Sequence, residues 1–284
     1  MAPRERTYTS ADNLRLVFRD WGEETSPLTP ALCLAGLTRN SSDFNKLARH
    51  LAPRRIICPD LRGRGRSAYA PDWRTYDWAI YLDDIRHLLA ALGLGKVILV
   101  GTSMGGLLGM AMAAAMPTVL AGLVINDVGP ELGTHGVGRI LDYIAKDRPQ
   151  PDWPSAVRHL KEILPHMSLV ADDDWLDFAR GTFREHPDGL LHFDWDINLA
   201  RPLLKPPEPL PDLWAMWHAT RAIPTLVIRG EVSDILSAKT LVRMQAARPD
   251  MRQATVPAVG HAPVLNEPIA VKAIDDFLRA ADHR

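Results

Sequence analysis

Residues 101–106 read GTSMGG and follow KVILV at 96–100, a run whose β-branched residues favour a strand. A serine held between glycines at a strand end, just before an apolar stretch of helical length, fits a sharp strand-to-helix turn. Such a turn holds the hydroxyl clear of the sheet. Side chains at Gly101 and Gly105 would collide there, and Gly106 lets the helix pack closely. Ser103 is therefore the candidate nucleophile. A serine hydroxyl is a weak nucleophile at neutral pH and needs a base beside it. Of the ten histidines, His261 in PAVGHAPVLNEP is the best placed, after the last expected strand and before the final helix. The base needs an orienting carboxylate. Asp234, in IRGEVSDIL just past an expected strand at 223–229, is favoured. Glu231 is a rival, and so is Asp127, which follows an expected strand at 120–125 in INDVGP.

Attack on a carbonyl creates an oxyanion that two backbone N–H groups must meet. Met104, next after the serine, is expected to supply one. Leu37 is expected to supply the other, from LAGLTRNSSDF after an expected strand at 31–35, where Gly36 permits close approach. Arg39 and Asn40 fall at the same mouth, and Arg39 facing the pocket would favour an acidic substrate.

The elements that must position these groups alternate. Further strands are expected at 14–18, 55–58 and 251–257, and helices at 43–51 (opening on Asp43 as an N-cap), 76–92, 104–116, 237–247 and 267–281. Strand–helix alternation of this kind argues for an α/β protein with a mostly parallel sheet flanked by helices. From Gly129 to Arg221 the strand runs disappear and proline becomes dense, ending in RPLLKPPEPLP at 201–211. This reads as a mainly helical insertion over 129–221, between core segments 1–128 and 222–284. It holds five of the eight tryptophans. Trp153 and Trp214 among them are expected to roof a substrate pocket and favour an apolar or aromatic group.

Other features are read as structural. PDLRGRGRS at 59–67 is expected to be a turn in which Asp60 and the arginines bond to backbone. Cys33 and Cys58 sit in short apolar runs and are expected as buried free thiols. His135, His159, His166, His192 and His218 carry no metal-ligand spacing, and no metal is expected. A net charge of −1 gives no basic surplus for nucleic acid or a membrane surface. No apolar stretch backs the N-terminal charges as in a secretory signal, and none is long enough to span a bilayer. The expected setting is the cytoplasm and the expected partner a small-molecule substrate.

Taken in order, LAGLTRN, PDLRGRGRS, GTSMGG, RGEVSDIL and VGHAP resemble the α/β-hydrolase superfamily, in its cap-bearing branch of small bacterial serine esterases. The resemblance spans nearly the whole chain. It implies the α/β-hydrolase fold, a helical cap at 129–221, and a triad in the chain order Ser103, Asp234, His261. It implies carboxylic-ester hydrolysis through an acyl-enzyme, without a cofactor. Relatives that act as haloalkane dehalogenases or epoxide hydrolases carry Asp at the elbow, so Ser103 argues against both. Ala35-Gly36 stands where many relatives have His-Gly, so the usual brace of the oxyanion loop is missing. A lactonase, or a hydrolase of C–C bonds in ring-cleavage products, would use the same triad. A ligand receptor that keeps the fold is the alternative outside enzymes.

Overall fold

The computed structural model describes residues 2–164, 166–204 and 211–283. Eight strands form one sheet: β1 (Arg4–Thr9), β2 (Arg15–Trp21), β3 (Ala31–Leu34), β4 (Ile56–Asp60), β5 (Val97–Thr102), β6 (Leu120–Asn126), β9 (Thr225–Gly230) and β10 (Arg252–Val256). Their spatial order is β1-β2-β4-β3-β5-β6-β9-β10. Pairing is antiparallel from β1 to β4 and parallel from β4 to β10. The remaining strands, β7 (Phe183–Glu185) and β8 (Leu191–Phe193), make a separate hairpin.

Both faces of the sheet are covered, which is why its central strands read as unbroken apolar runs. Side chains alternate between the two faces. Leu32 and Leu34 of β3 join one core with Leu99, Leu123 and Val227, while Ala31 and Cys33 join the other with Val100, Val124 and Ile228. Helices α1 (Asn45–His50), α2 (Trp78–Ala91), α3 (Met104–Ala115), α9 (Ala238–Ala247) and α10 (Pro268–Asp282) flank the sheet. The first ten residues of α3 are all buried. Among the described residues, no helix is long and apolar enough to cross a membrane.

The segment between β6 and β9 carries α4 (Thr134–Ile144), α5 (Trp153–Ile163), α6 (Asp172–Arg180), α7 (Arg201–Leu204) and α8 (Leu213–Ala219). Most of its elements are helices, and it also holds the β7–β8 hairpin, which was not expected. Strands of three residues are too short to leave a period in the sequence. Residues 205–210 of the expected proline-rich connection lie outside the described residues. Strand β1 was also missed. Only Tyr8 of RERTYT is buried, so no apolar alternation marks it, and it is held by pairing with β2. Asp43 does not cap α1. Asn40 instead caps a 3₁₀ turn at Ser41–Phe44 by accepting from the Ser42 amide. Cys33 and Cys58 are buried free thiols on neighbouring strands. Burial, with Cys33 alongside, pushes the Cys58 thiol well up.

Candidate active site

The parallel strands β5, β6 and β9 and the loop after β10 all deliver their carboxyl ends to one edge of the sheet. Ser103 sits between β5 and α3 at φ 52°, ψ −115°, a conformation that non-glycine residues rarely adopt. Its amide donates to the Asn126 carbonyl at 2.9 Å, which ties the turn to the end of β6. A Cβ on Gly105 would overlap the Leu34 carbonyl, and one on Gly101 would overlap Gly105. Gly105→Ala is therefore expected to cost about 3 kcal/mol or more. A thermal melt should drop by roughly 5 °C or more.

His261 lies on the loop after β10, with its Nε2 2.9 Å from Ser103 Oγ. Its other ring nitrogen, Nδ1, meets Asp127 Oδ2 at 2.8 Å. The structure thus corrects the expected carboxylate. Asp234 does not hold His261; it forms a two-pronged ion pair with Arg139 of α4, at 2.8 and 3.0 Å. Partial burial pushes the Asp234 carboxyl up, but the Arg139 guanidinium outweighs it and holds the group below the usual range. Glu231 is occupied too, accepting from the Ala258 amide at 2.8 Å in the turn before His261.

Asp127 is fully buried at the end of β6, at φ 58°. The Gly230 amide donates to its Oδ1 at 2.8 Å, and the Ser233 hydroxyl donates to its Oδ2 at 2.6 Å. Three donors therefore converge on one buried carboxylate, which is what its burial requires. Sequence spacing carried no signal for Ser233, nor for Asn126. The Asn126 amide donates to the Pro263 carbonyl at 2.8 Å and to Thr102 Oγ1 at 3.1 Å, linking the histidine loop to the elbow.

Leu37 lines the cavity beside Ser103, and a Cβ on Gly36 would lie 3.7 Å from the Ser103 Cβ. Met104 opens α3, where the helix N-terminus favours negative charge. Arg64, fully buried, connects the two. Its Nε donates to the Leu37 carbonyl, and its Nη2 approaches Met104 Sδ at 3.5 Å. Nη1 donates to the Arg62 carbonyl at 2.7 Å, and Nη2 also donates to Tyr81 Oη at 3.1 Å. Arg64 thus braces the loop whose histidine is missing. Arg64→Met leaves the Leu37 carbonyl without this donor. It is expected to lower kcat about tenfold with little change in KM, while Arg64→Lys recovers part of the loss. Steady-state kinetics alongside a melt separates this from simple unfolding.

The rest of 59–67 is a turn in which Asp60 and Arg64 bond to backbone as expected, but Arg62 and Arg66 pair with carboxylates instead. Asp60 accepts from the Ser41 and Arg66 amides at 2.7 and 3.0 Å. Arg62 is pinned by Asp84 and Asp12. The turn also docks the segment between β6 and β9: the Gly65 amide donates to Asp194 O at 3.0 Å, and the Asp196 amide to Gly63 O at 2.8 Å.

A cavity of about 480 Å³ opens over Ser103 and His261. Its roof comes from Ile140, Tyr143, Leu164, Met167, Leu169 and Phe178. Neither Trp153 nor Trp214 lines it, which corrects the expected tryptophan roof. Trp153 lies against Arg180, and Trp214 donates to Glu131 at 3.2 Å beneath Arg243. Trp175, Trp195 and Trp217 are buried in packing. Their apolar surface is consumed in building the segment, not in lining its underside. Arg39 does line the cavity, but its guanidinium grips Asp43 at 2.5–3.1 Å and lies 3.9 Å over the Phe178 ring. Asn40 instead donates to the Gly181 carbonyl at 2.9 Å.

Away from the cavity, His186, Asp188 and His192 bring ligand atoms within 4.8 Å of one another around the β7–β8 hairpin. His192 bonds to Asp147 at 2.5 Å and to Asp188 at 2.8 Å. Those two carboxylates, Asp147 first, raise its affinity for a proton.

Comparison with known proteins agrees with this architecture. The model of the "Alpha/beta hydrolase family" matches residues 31–274. A 3-hydroxybutyrate-oligomer hydrolase of Cupriavidus necator is 33% identical over 277 residues, covering 94% of each chain. A 2-(acetamidomethylene)succinate hydrolase of Mesorhizobium japonicum is 27% identical over 263 residues, covering 86% of each. The crystal structure of an alpha/beta hydrolase from Novosphingobium aromaticivorans superposes with a TM-score of 0.91 at 42% identity, covering 98% of this chain and 99% of that one.

Proposed function

The chain belongs to the alpha/beta hydrolase family, and we propose that it cleaves carboxylic esters of small, largely apolar substrates through an acyl-enzyme. The observation that carries this reading is the continuous contact from Ser103 Oγ through His261 to Asp127, at 2.9 and 2.8 Å. In that arrangement His261 Nε2 takes the hydroxyl proton as Ser103 attacks the ester carbonyl. The imidazolium that forms keeps its Nδ1–H on Asp127, whose negative charge stabilises it. The Leu37 and Met104 amides receive the tetrahedral oxyanion. His261 then passes the proton to the leaving alkoxide, and the alcohol departs. A water deprotonated by the same nitrogen attacks the acyl-serine, His261 returns that proton to the departing Ser103 Oγ, and the acid is released. Each step is a proton or acyl transfer that these side chains carry themselves.

The roof of aliphatic, thioether and aromatic side chains supports an apolar substrate portion. The Cupriavidus relative's name specifies an oligomer of a hydroxy acid, whose units are joined by esters, and this supports the choice of bond. A screen over short-chain aryl esters, lactones and ring-cleavage products tests the reading. Rapid mixing with an aryl ester should release a burst of phenol equal to the enzyme present, followed by slower turnover. Turnover of C–C substrates with none of any ester, open-chain or lactone, would overturn the bond assignment.

A further inference from the structure

The cavity does not end at its apolar roof. Its outer reach is lined by Arg19 of β2, Lys46 and Arg49 of α1, and Arg66. A second groove shares Arg19, Asn45, Arg49 and Arg66 with the cavity and adds Trp21 and one carboxylate, Glu5. With Arg39 and Arg180, six cations line the cavity against three carboxylates, Asp43, Asp174 and Asp177. The surplus lies within a protein whose net charge is −1, so it is local and not a general basicity.

Several of these cations are already matched. Arg39 is clamped to Asp43, Lys46 pairs with Asp174, and Arg66 pairs with Glu5. Arg19, Arg49 and Arg180 differ: among the described residues none is in ion-pair contact with a carboxylate. Arg180 lies 5.8 Å over the Trp153 ring, while Arg19 and Arg49 stand together on β2 and α1. These last two are nevertheless held in place. Arg19 Nη1 donates to Asn45 Oδ1 at 2.9 Å. Arg49 lies 5.6 Å over the Trp21 ring, a contact that steadies the guanidinium and leaves its N–H edges free. Arg19 and Trp21 share a face of β2, and Asn45 and Arg49 lie four apart on α1, so the two elements present these groups together.

We propose that Arg19 and Arg49 bind a carboxylate of the substrate. The substrate class is then an ester that bears a free carboxylate at the end remote from the scissile bond. Its apolar body lies under Met167, Leu169 and Phe178, and its carbonyl lies at Ser103. Guanidinium forks suit a planar carboxylate, and fixing it at the mouth sets which ester bond reaches the serine. Arg39, despite lining the cavity, is not that anchor, because Asp43 already occupies its fork. This inference rests on the ester-hydrolase reading above.

The test uses a hydroxy-acid ester with a free terminal carboxylate and the same compound with that carboxylate methylated. The wild-type chain should prefer the free acid in kcat/KM, and the double substitution Arg19→Gln/Arg49→Gln should reduce that preference about tenfold, mainly through KM. Raising the salt concentration should erode the preference in the wild type far more than in the variant. Arg86→Gln, on the exposed face of α2, serves as a charge-loss control and should leave the preference intact. Calorimetry of both compounds on Ser103→Ala protein reads the same difference without turnover. A preference untouched by the double substitution, or equal binding of acid and methyl ester, overturns the carboxylate site even where ester hydrolysis is intact. Absence of turnover with tighter binding of the acid overturns the ester reading and leaves the site standing.

Discussion

Ser103→Ala is expected to lower kcat/KM for a short aryl ester by about 10⁵-fold, with whatever catalysis is left coming from the oxyanion donors. The side-chain hydrogen bond of Ser103 runs to His261, so little stability depends on it. The melting temperature should stay within a few degrees of the wild type, and the phenol burst should vanish. The loss should not be rescued by higher substrate, because binding is unaffected and the attacking atom is gone. A variant keeping a tenth of wild-type turnover would show that Ser103 is not the nucleophile.

Asp127→Asn should cost about 10⁴-fold in kcat while leaving the fold largely intact. The reason lies in which donor can turn. The Gly230 N–H can only donate, so it keeps an oxygen at the position of Oδ1, 2.8 Å away. The amide nitrogen of asparagine then stands where Oδ2 now faces His261 Nδ1. It donates to that nitrogen and drives the imidazole proton onto Nε2, pointing at Ser103. A ring protonated there cannot accept the serine proton. The Ser233 hydroxyl can rotate to accept from the amide, so it does not oppose the switch. Asp234→Asn should behave differently. Its ion pair with Arg139 is partly exposed and is worth about 1 kcal/mol or less. Activity should fall no more than about threefold. Steady-state kinetics on the two variants in parallel distinguishes the two carboxylates, and a larger loss in Asp234→Asn would reverse the assignment.

Much of the fold was legible because it is written in local patterns. The strand at 97–102, the glycines around Ser103 and the apolar helix behind it are consecutive in sequence, and each demands its neighbours. His261 was legible for the same reason, as a loop residue bounded by a strand and a helix. Strand β1 and the β7–β8 hairpin were not, since neither alternates clearly between apolar and polar. The expected tryptophan roof failed on a different ground. Composition shows that large aromatic groups are present in a segment, but burial against neighbouring helices decides whether they face a cavity.

The sequence by itself determined that Ser103 stands on a strained turn and that His261 follows on a loop at the same sheet edge, because backbone sterics and strand direction are local properties. Only the tertiary structure decided which carboxylate completes the arrangement. Asp127 follows β6 directly and Asp234 lies four residues past β9, and the sequence pattern favoured Asp234. The difference lies in what packs around them. Asp127 is buried where Gly230, Ser233 and His261 all donate to it, while Arg139 of α4 draws Asp234 away. Hydrogen bonds between residues a hundred or more positions apart are set by how the chain closes on itself, and here they overrule the carboxylate that the sequence pattern favoured.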